Sequence, residues 1–212
     1  FSGWQASINF TFYDSDKLCI GDNLRKNFGY AALSQIYHEL GIHTFLTNRQ
    51  RHSKEQYDSN TIMKMLVYSR LLFPASKKSS YDSREHFFEN TEYSLDDVYR
   101  CLSFLDKHRE NLQIWMNDRI KKNYGRDTSL IYYDVTNYYF ETDEQNDFLH
   151  KEVCKEHRPN PIIQMGLFID NKGIPITYEL FPGNTNDCLT YRPNLGRIKK
   201  QFDLGRVITV AD

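Results

Sequence analysis

Cysteine is scarce in this sequence. The four that occur, Cys19, Cys101, Cys154 and Cys188, lie far apart and form no CxxC pair. That spacing excludes the disulfide framework of a small secreted domain and a cysteine-built zinc site, and it fits reduced thiols in a cytoplasm. Long hydrophobic runs are also missing: no stretch approaches the roughly 20 apolar residues that a membrane-crossing helix needs, so no membrane partner is expected. There is no excess charge of either sign, since the formal net charge is −1. The bulk balance is therefore silent about nucleic acid. Proline and glycine are too few to make a low-complexity linker, with 6 and 10 residues. No P-loop, dinucleotide fingerprint or Ser/His/Asp triad is present. No signal peptide opens the chain, and a start at Phe1 rather than Met leads us to expect that a true N-terminus precedes it.

What is present is a core. Hydrophobic residues make up 40% and aromatics 15%, enough for one globular domain or two. From Tyr30 the apolar residues Ala31, Leu33, Ile36, Tyr37 and Leu40 fall at helical spacing, and Gly41 stands where a C-terminal cap belongs. Ile42–Phe45 leads into a polar, basic patch, Asn48 to Lys54. A second helix is predicted from Ser59 to Phe73, stopped by Pro74. Ser76–Ser80 reads as a basic loop, followed by a short helix near Ser83–Glu89. Ser94 with Asp97 is a capping signature that opens one long helix to about Asn123, with Gly125 closing it.

Near Arg126–Thr128 the period changes. Four β-branched or aromatic runs follow, at 129–140, 161–170, 174–183 and 206–212, with a short helical pattern, Leu189–Phe202, before the last. The order strand, strand, strand, helix, strand predicts an α+β or α/β architecture behind a helical N-terminal region. The division expected is 1–127, mainly helical, and 128–212, strand-rich. Asp170-Asn171-Lys172-Gly173 reads as a tight hairpin turn. Lys and Arg outnumber acids before residue 130, and acids outnumber them after it.

Two aspartates stand in these apolar strands, Asp134 within the first and Asp212 at the end of the last. For Asp134 the alternative is the solvent face of an alternating strand; for Asp212 it is a turn or cap position. If the first and last strands are neighbours, both carboxylates lie at one end of the sheet. Two such anions about 4 Å apart repel by roughly 4 kcal/mol at an effective dielectric near 20. A divalent cation removes that repulsion, and hard oxygen donors favour Mg²⁺ or Mn²⁺. Paired ions of this type serve in-line phosphoryl displacement on nucleic acids.

Four blocks carry a family resemblance: Tyr-Tyr-Asp-Val-Thr-Asn-Tyr-Tyr-Phe-Glu (132–141), Lys-Glu-His-Arg-Pro-Asn-Pro-Ile-Ile-Gln-Met-Gly-Leu (155–167), Pro-Ile-Thr-Tyr-Glu-Leu-Phe-Pro-Gly-Asn-Thr-Asn-Asp (175–187) and Gly-Arg-Val-Ile-Thr-Val-Ala-Asp (205–212). Together they closely resemble bacterial insertion-sequence transposases of the DDE type, in the IS-four superfamily. Arg70–Lys77 and Asp96–Tyr99 look like the helical region that precedes the catalytic domain there. The resemblance implies a ribonuclease-H-like fold, Asp134 and Asp212 as catalytic and metal-binding carboxylates, and Mg²⁺ or Mn²⁺ as cofactor. It implies DNA as partner, both the terminal inverted repeats of an element and its target, and DNA cleavage and strand transfer as activity. A homodimer and a place with the bacterial nucleoid in the cytoplasm follow by the same analogy. The family's third carboxylate, a glutamate in a Tyr…Arg…Glu…Lys block, has no counterpart here. The expectation is a fragment, a truncated element or part of a longer protein, inactive alone.

Arg49, Arg51, His52, Lys54, Lys77 and Lys78 are candidates for a phosphate-binding surface, against the alternative of a solvated face. His157 and Arg158 are candidates for a further phosphate contact, against a loop end. The rival functions are a catalytically inert DNA-binding or regulatory fragment of the same element, and another ribonuclease-H-like nuclease.

Overall fold

The computed structural model describes residues 26–87, 89, 91–140, 161–183, 196 and 198–209. Among the described residues six α-helices and a short 3-10 turn (Arg84–His86) precede a four-stranded mixed sheet, so the class is α+β. The helices are α1 (Tyr30–Glu39), α2 (Ile42–Gln50), α3 (Ser59–Leu72), α4 (Lys77–Asp82), α5 (Leu95–Lys107) and α6 (Arg109–Tyr124). The strands are β1 (Leu130–Tyr139), β2 (Ile162–Asp170), β3 (Pro175–Pro182) and β4 (Arg206–Thr209). Residues 196 and 198–201 are helical and belong to the predicted Leu189–Phe202 helix; the rest of it lies outside the described residues.

Local chemistry sets most helix ends. Asp58 caps α3 by accepting the Asn60 N–H, and Ser76 caps α4 by accepting that of Ser79. Ser94 and Asp97 form a full capping box at the start of α5. Gly41 takes the left-handed conformation (φ 65°) that lets the chain reverse between α1 and α2.

Three helical expectations change. Ile42–Gln50 is a helix, where the sequence reads only as a lead-in to a polar, basic patch; its buried residues Ile42, Phe45 and Leu46 have i, i+3, i+4 spacing, too short a stripe to show as a period. Lys77 and Lys78 lie on α4 and not in a loop, because Ser76 supplies a cap that the basic composition hid. The single long helix from Ser94 is two helices, broken at His108 (φ −106°, ψ 6°). The break has a packing reason. Val98 and Cys101 of α5 pack with Tyr57, Ile62 and Met65. Leu112, Trp115, Met116 and Ile120 of α6 pack on a different cluster, around Tyr37, Ile42, Phe45 and Leu46. Phe104 and Leu105 near the end of α5 touch this second cluster as well, so the break falls where the chain passes from one cluster to the other.

The sheet order is β3-β2-β1-β4. β1 pairs antiparallel with β2, and β2 with β3, while β4 joins β1 in parallel. One face carries Ile131, Tyr133, Phe168 and Ile176, buried against Ile198, Phe202 and Leu204. α6 packs on this side too, through Ile114 and a hydrogen bond between Thr177 and Gln113. It is therefore a wall shared by the helical cluster and the sheet. Burial of each such large side chain contributes roughly 1.5–3 kcal/mol.

A buried ion pair ties these parts together. Arg126, just past α6, and Asp170, at the end of β2, have side chains that are 0% exposed, with Nε and Oδ2 3.7 Å apart. Arg126 also donates to the Pro175 carbonyl at 2.9 Å. Asp170 Oδ1 accepts the Lys172 and Ile174 N–H groups, each at 2.9 Å, closing the predicted turn with Gly173 at φ 77°. Asp170 is thus a turn residue, as expected, and also half of a charge pair that crosses the fold. Burial pulls the Arg126 guanidinium below its ordinary value, and Asp170 opposes that shift.

Replacing Arg126 with Met leaves a buried carboxylate without its counter-charge, so stability to urea should fall by about 3–5 kcal/mol. The Arg126→Met, Asp170→Asn double variant should recover part of that loss; no recovery would mean that the charges are not coupled. His38, His43 and His108 are each held below the ordinary value of 6.5, first by partial burial and then by neighbouring charge, Lys64 and Arg119 acting on His43. Their folded-state values are depressed, so the unfolded chain takes up protons first as pH falls. Stability from this source is complete above about 6.5 and is lost below it. The urea midpoint should drop between pH 7.5 and 5.5, and His43→Gln should flatten that drop.

Candidate functional site

β1 alternates between faces along its first half. Ile131 and Tyr133 are buried, whereas Asp134 is exposed, followed by exposed Thr136 and Tyr138 on the same side of the strand. The partner of Asp134 on β2 is Leu167, which with Ile163, Met165 and Ile169 gives this second face a half-buried, apolar character. Because Asp134 is exposed, the desolvation cost expected for a carboxylate in a buried strand does not arise. Among the described residues no hydrogen bond or ion pair engages its carboxylate.

The position of Asp134 is nevertheless firmly set from behind. Tyr133 lies across the strand over Gly166, where an added Cβ would come within 2.8 Å of two of its ring carbons. The same ring packs on Phe168 with centroids 4.6 Å apart. A side chain at 166 would displace the tyrosine. Gly166 is thus a seat for Tyr133, the residue that precedes the aspartate in β1.

β4 approaches the same place. Its parallel register matches Leu130 with Arg206 and Tyr133 with Thr209. The last described pair therefore lies one residue before Asp134. Asp212, three residues on, is outside the described residues, as are His157 and Arg158. Among the described residues no group of three or more His, Cys, Asp or Glu side chains is placed to hold a metal ion. Of the two aspartates singled out in the sequence, Asp134 is the one described, with an exposed carboxylate.

No family model matches the chain, and no curated protein does. Two solved structures of Mos1 transposase overlap it loosely. A pre-cleavage Mos1 transpososome gives a TM-score of 0.25 at 14% identity, covering 70% of this chain and 47% of that one. A Mos1 transposase paired-end complex with left transposon end gives 0.26 at 15%, covering 74% and 52%. The chain spans about half the length of each. Overlap at this level bears on neither fold nor activity.

The basic candidates fall on separate elements. Arg49 is exposed on α2, its guanidinium 5.3 Å from the Phe45 ring centroid. Arg51 closes α2 with helical angles, and His52 and Lys54 follow, all exposed. Lys77 and Lys78 are exposed on α4, and Lys78 pairs with Asp82 at 3.0 Å. Such a surface pair contributes at most about 0.5 kcal/mol. The structure brings Arg49 and His52 to a groove of about 400 Å³ between α2 and α6, with Phe45, Trp115, Asn48 and Asp118 among its lining. Trp115 is held there by a 3.0 Å hydrogen bond from its indole N–H to the Leu40 carbonyl. Sequence reasoning missed Asn48, Trp115 and Asp118 as groove residues; the helical spacing of Phe45, Asn48, Arg49 and His52 was the available signal. No helix among the described residues is long and apolar enough to cross a membrane.

Asp134→Asn should leave the melting profile within about 0.5 kcal/mol of wild type, as an exposed substitution does. Gly166→Ala should cost about 1–3 kcal/mol by displacing Tyr133. Equal stability of the two variants would refute the seating of Tyr133 on Gly166.

Proposed function

We propose that this chain is the helical region and the first part of the catalytic domain of a DDE-type insertion-sequence transposase. The observation that carries the proposal is the parallel pairing of β4 with β1, which runs to within one residue of Asp134. It is supported by the four sequence blocks and by the strand order β3-β2-β1-β4, which suits a ribonuclease-H-like sheet. The division between a helical DNA-binding part and a catalytic part is placed near residue 127, where α6 gives way to β1.

In this proposal Asp134 and Asp212 hold Mg²⁺ or Mn²⁺. The ions would activate the attacking water or DNA 3′-hydroxyl and stabilise the leaving oxygen. Asp134 contributes a carboxylate with no competing partner among the described residues, presented from a strand that packing locks in place. The basic side chains Arg49, Arg51, Lys54, Lys77 and Lys78, on and just after α2 and on α4, would meet the DNA, with phosphate contacts supplying the sequence-independent part of the affinity. Dimeric assembly belongs to the same proposal. A second reading is DNA binding without cleavage, by a catalytically inert fragment of the same element.

The test is nicking of supercoiled DNA carrying the element's ends, with Mg²⁺ or Mn²⁺. A protein that continues past residue 212 with a third carboxylate should nick, and Asp134→Asn or Asp212→Asn in it should each lower the rate by at least about 100-fold, with affinity for the ends unchanged. Nicking that survives either substitution would remove the catalytic assignment. The 212-residue chain by itself should bind the ends without nicking, and nicking by it would reject the inert reading.

A further inference from the structure

α2 is an unusual surface helix for an otherwise ordinary charge pattern. From Leu40 to Lys54 there is no Asp or Glu, while Arg49, Arg51, Lys54 and two histidines fall within the run. The helix buries Ile42, Phe45 and Leu46 against α1 and α6. Its opposite side carries Thr44, Thr47, Asn48 and Arg51, all exposed, at i, i+3, i+4 and i+7. Every one is a hydrogen-bonding side chain of the kind that reads base edges, and none is acidic or apolar. Thr47 Oγ1 accepts from Asn60 Nδ2 of α3 at 3.0 Å, and Thr44 is hydrogen-bonded to His43, also at 3.0 Å. Among the described residues no hydrogen bond or ion pair engages the side chains of Asn48 and Arg51.

The turn before α2 is built to hold it out. Gly41, at φ 65°, reverses the chain within two residues of α1, and the Asn60 amide bonds the His43 carbonyl and Thr47 from α3. Two helices joined by a short glycine turn, the second exposed along one side, is the arrangement that lays a helix into a DNA groove. Nine residues make a helix about 13–14 Å long, matched to a major groove about 12 Å wide. Asn48 borders the groove between α2 and α6 that Asp118 also lines, so the outward row meets one acid along that edge, whereas Thr44, Thr47 and Arg51 do not line the groove.

We infer that α2 is a base-reading helix for double-stranded DNA, with Asn48 and Arg51 as the residues that specify sequence. The inference rests on the DNA-binding part of the proposed function and deepens it: Arg49, Lys54, Lys77 and Lys78 position the duplex, whereas Asn48 and Arg51 choose it. Asn makes a bidentate contact with adenine and Arg with guanine in the major groove. Three residues of helix rise about 4.5 Å, against about 3.4 Å per base pair, so the adenine and guanine should be one or two steps apart.

The experiment is selection of duplexes from a random pool by the full 212-residue chain, followed by titration of the winning duplex and of point-changed versions across a salt series. Wild type should enrich a motif containing that A and G. Asn48→Ala should erase discrimination at the A·T pair and Arg51→Ala at the G·C pair, each by roughly 5- to 150-fold. Lys77→Ala, Lys78→Ala should instead flatten the dependence of affinity on salt and leave the motif unchanged. Binding with no enriched motif, or a motif that survives both α2 substitutions, overturns the inference while leaving DNA binding in place. A shift in sedimentation with Asn48→Ala and an unaltered motif would make this side of α2 a contact between copies and equally overturn it. Failure to bind any duplex, at any salt, overturns the DNA reading itself.

Discussion

The organisation of this chain depends on two charges that cannot be separated without cost. Arg126 and Asp170 are both removed from water, and they lie where the end of α6 meets the hairpin between β2 and β3. Arg126 follows the last helix and leads into β1; Asp170 ends β2 and begins the hairpin to β3. An uncompensated buried charge costs several kcal/mol, so any arrangement that moved the hairpin away from the end of α6 would be strongly disfavoured. The pair carries imperfect geometry, at 3.7 Å, with Arg126 Nε and Nη1 and Asp170 Oδ2 lacking hydrogen-bond partners. Its contribution is then one of specificity, fixing which surfaces adjoin, more than of net stabilisation.

α6 extends the same constraint by packing. Leu112, Trp115, Met116 and Ile120 face the helical cluster, while Ile114 faces the sheet. Apolar residues on two sides blur the single stripe of an amphipathic helix, and this is what a helix between two cores requires. The break at His108 then frees α5 to serve a third cluster around Ile62 and Met65. The helical region and the sheet are in this way built on one shared element.

What could be read from the sequence follows from how local each determinant is. The strand runs at 129–140, 161–170 and 174–183 end within one or two residues of β1, β2 and β3, because β-branched and aromatic side chains alternate and turn residues close them. The helix ends at Ser94 and Gly125 were legible for the same reason, since a cap is a two- or three-residue device. α2 was not, because only Ile42, Phe45 and Leu46 mark its buried side. The break at His108 was hidden because every residue around it tolerates a helix, and only tertiary packing bends the chain. The Arg126–Asp170 pair joins positions 44 apart, and nothing in either neighbourhood announces the other. For the site, the alternation around Asp134 was visible, but its exposure was not, since that depends on what covers the second face of the sheet.

The glycine under Tyr133 has a consequence for whatever approaches Asp134. The ring over Gly166 and against Phe168 fills the reverse side of β1 next to 134, while the Asp134 carboxylate, exposed on the other side, keeps its own side-chain rotation. Packing can seat a backbone without aiming every group that it carries. Enlarging residue 166 would therefore disturb the inner side of the strand and leave the outer carboxylate as free to turn as before.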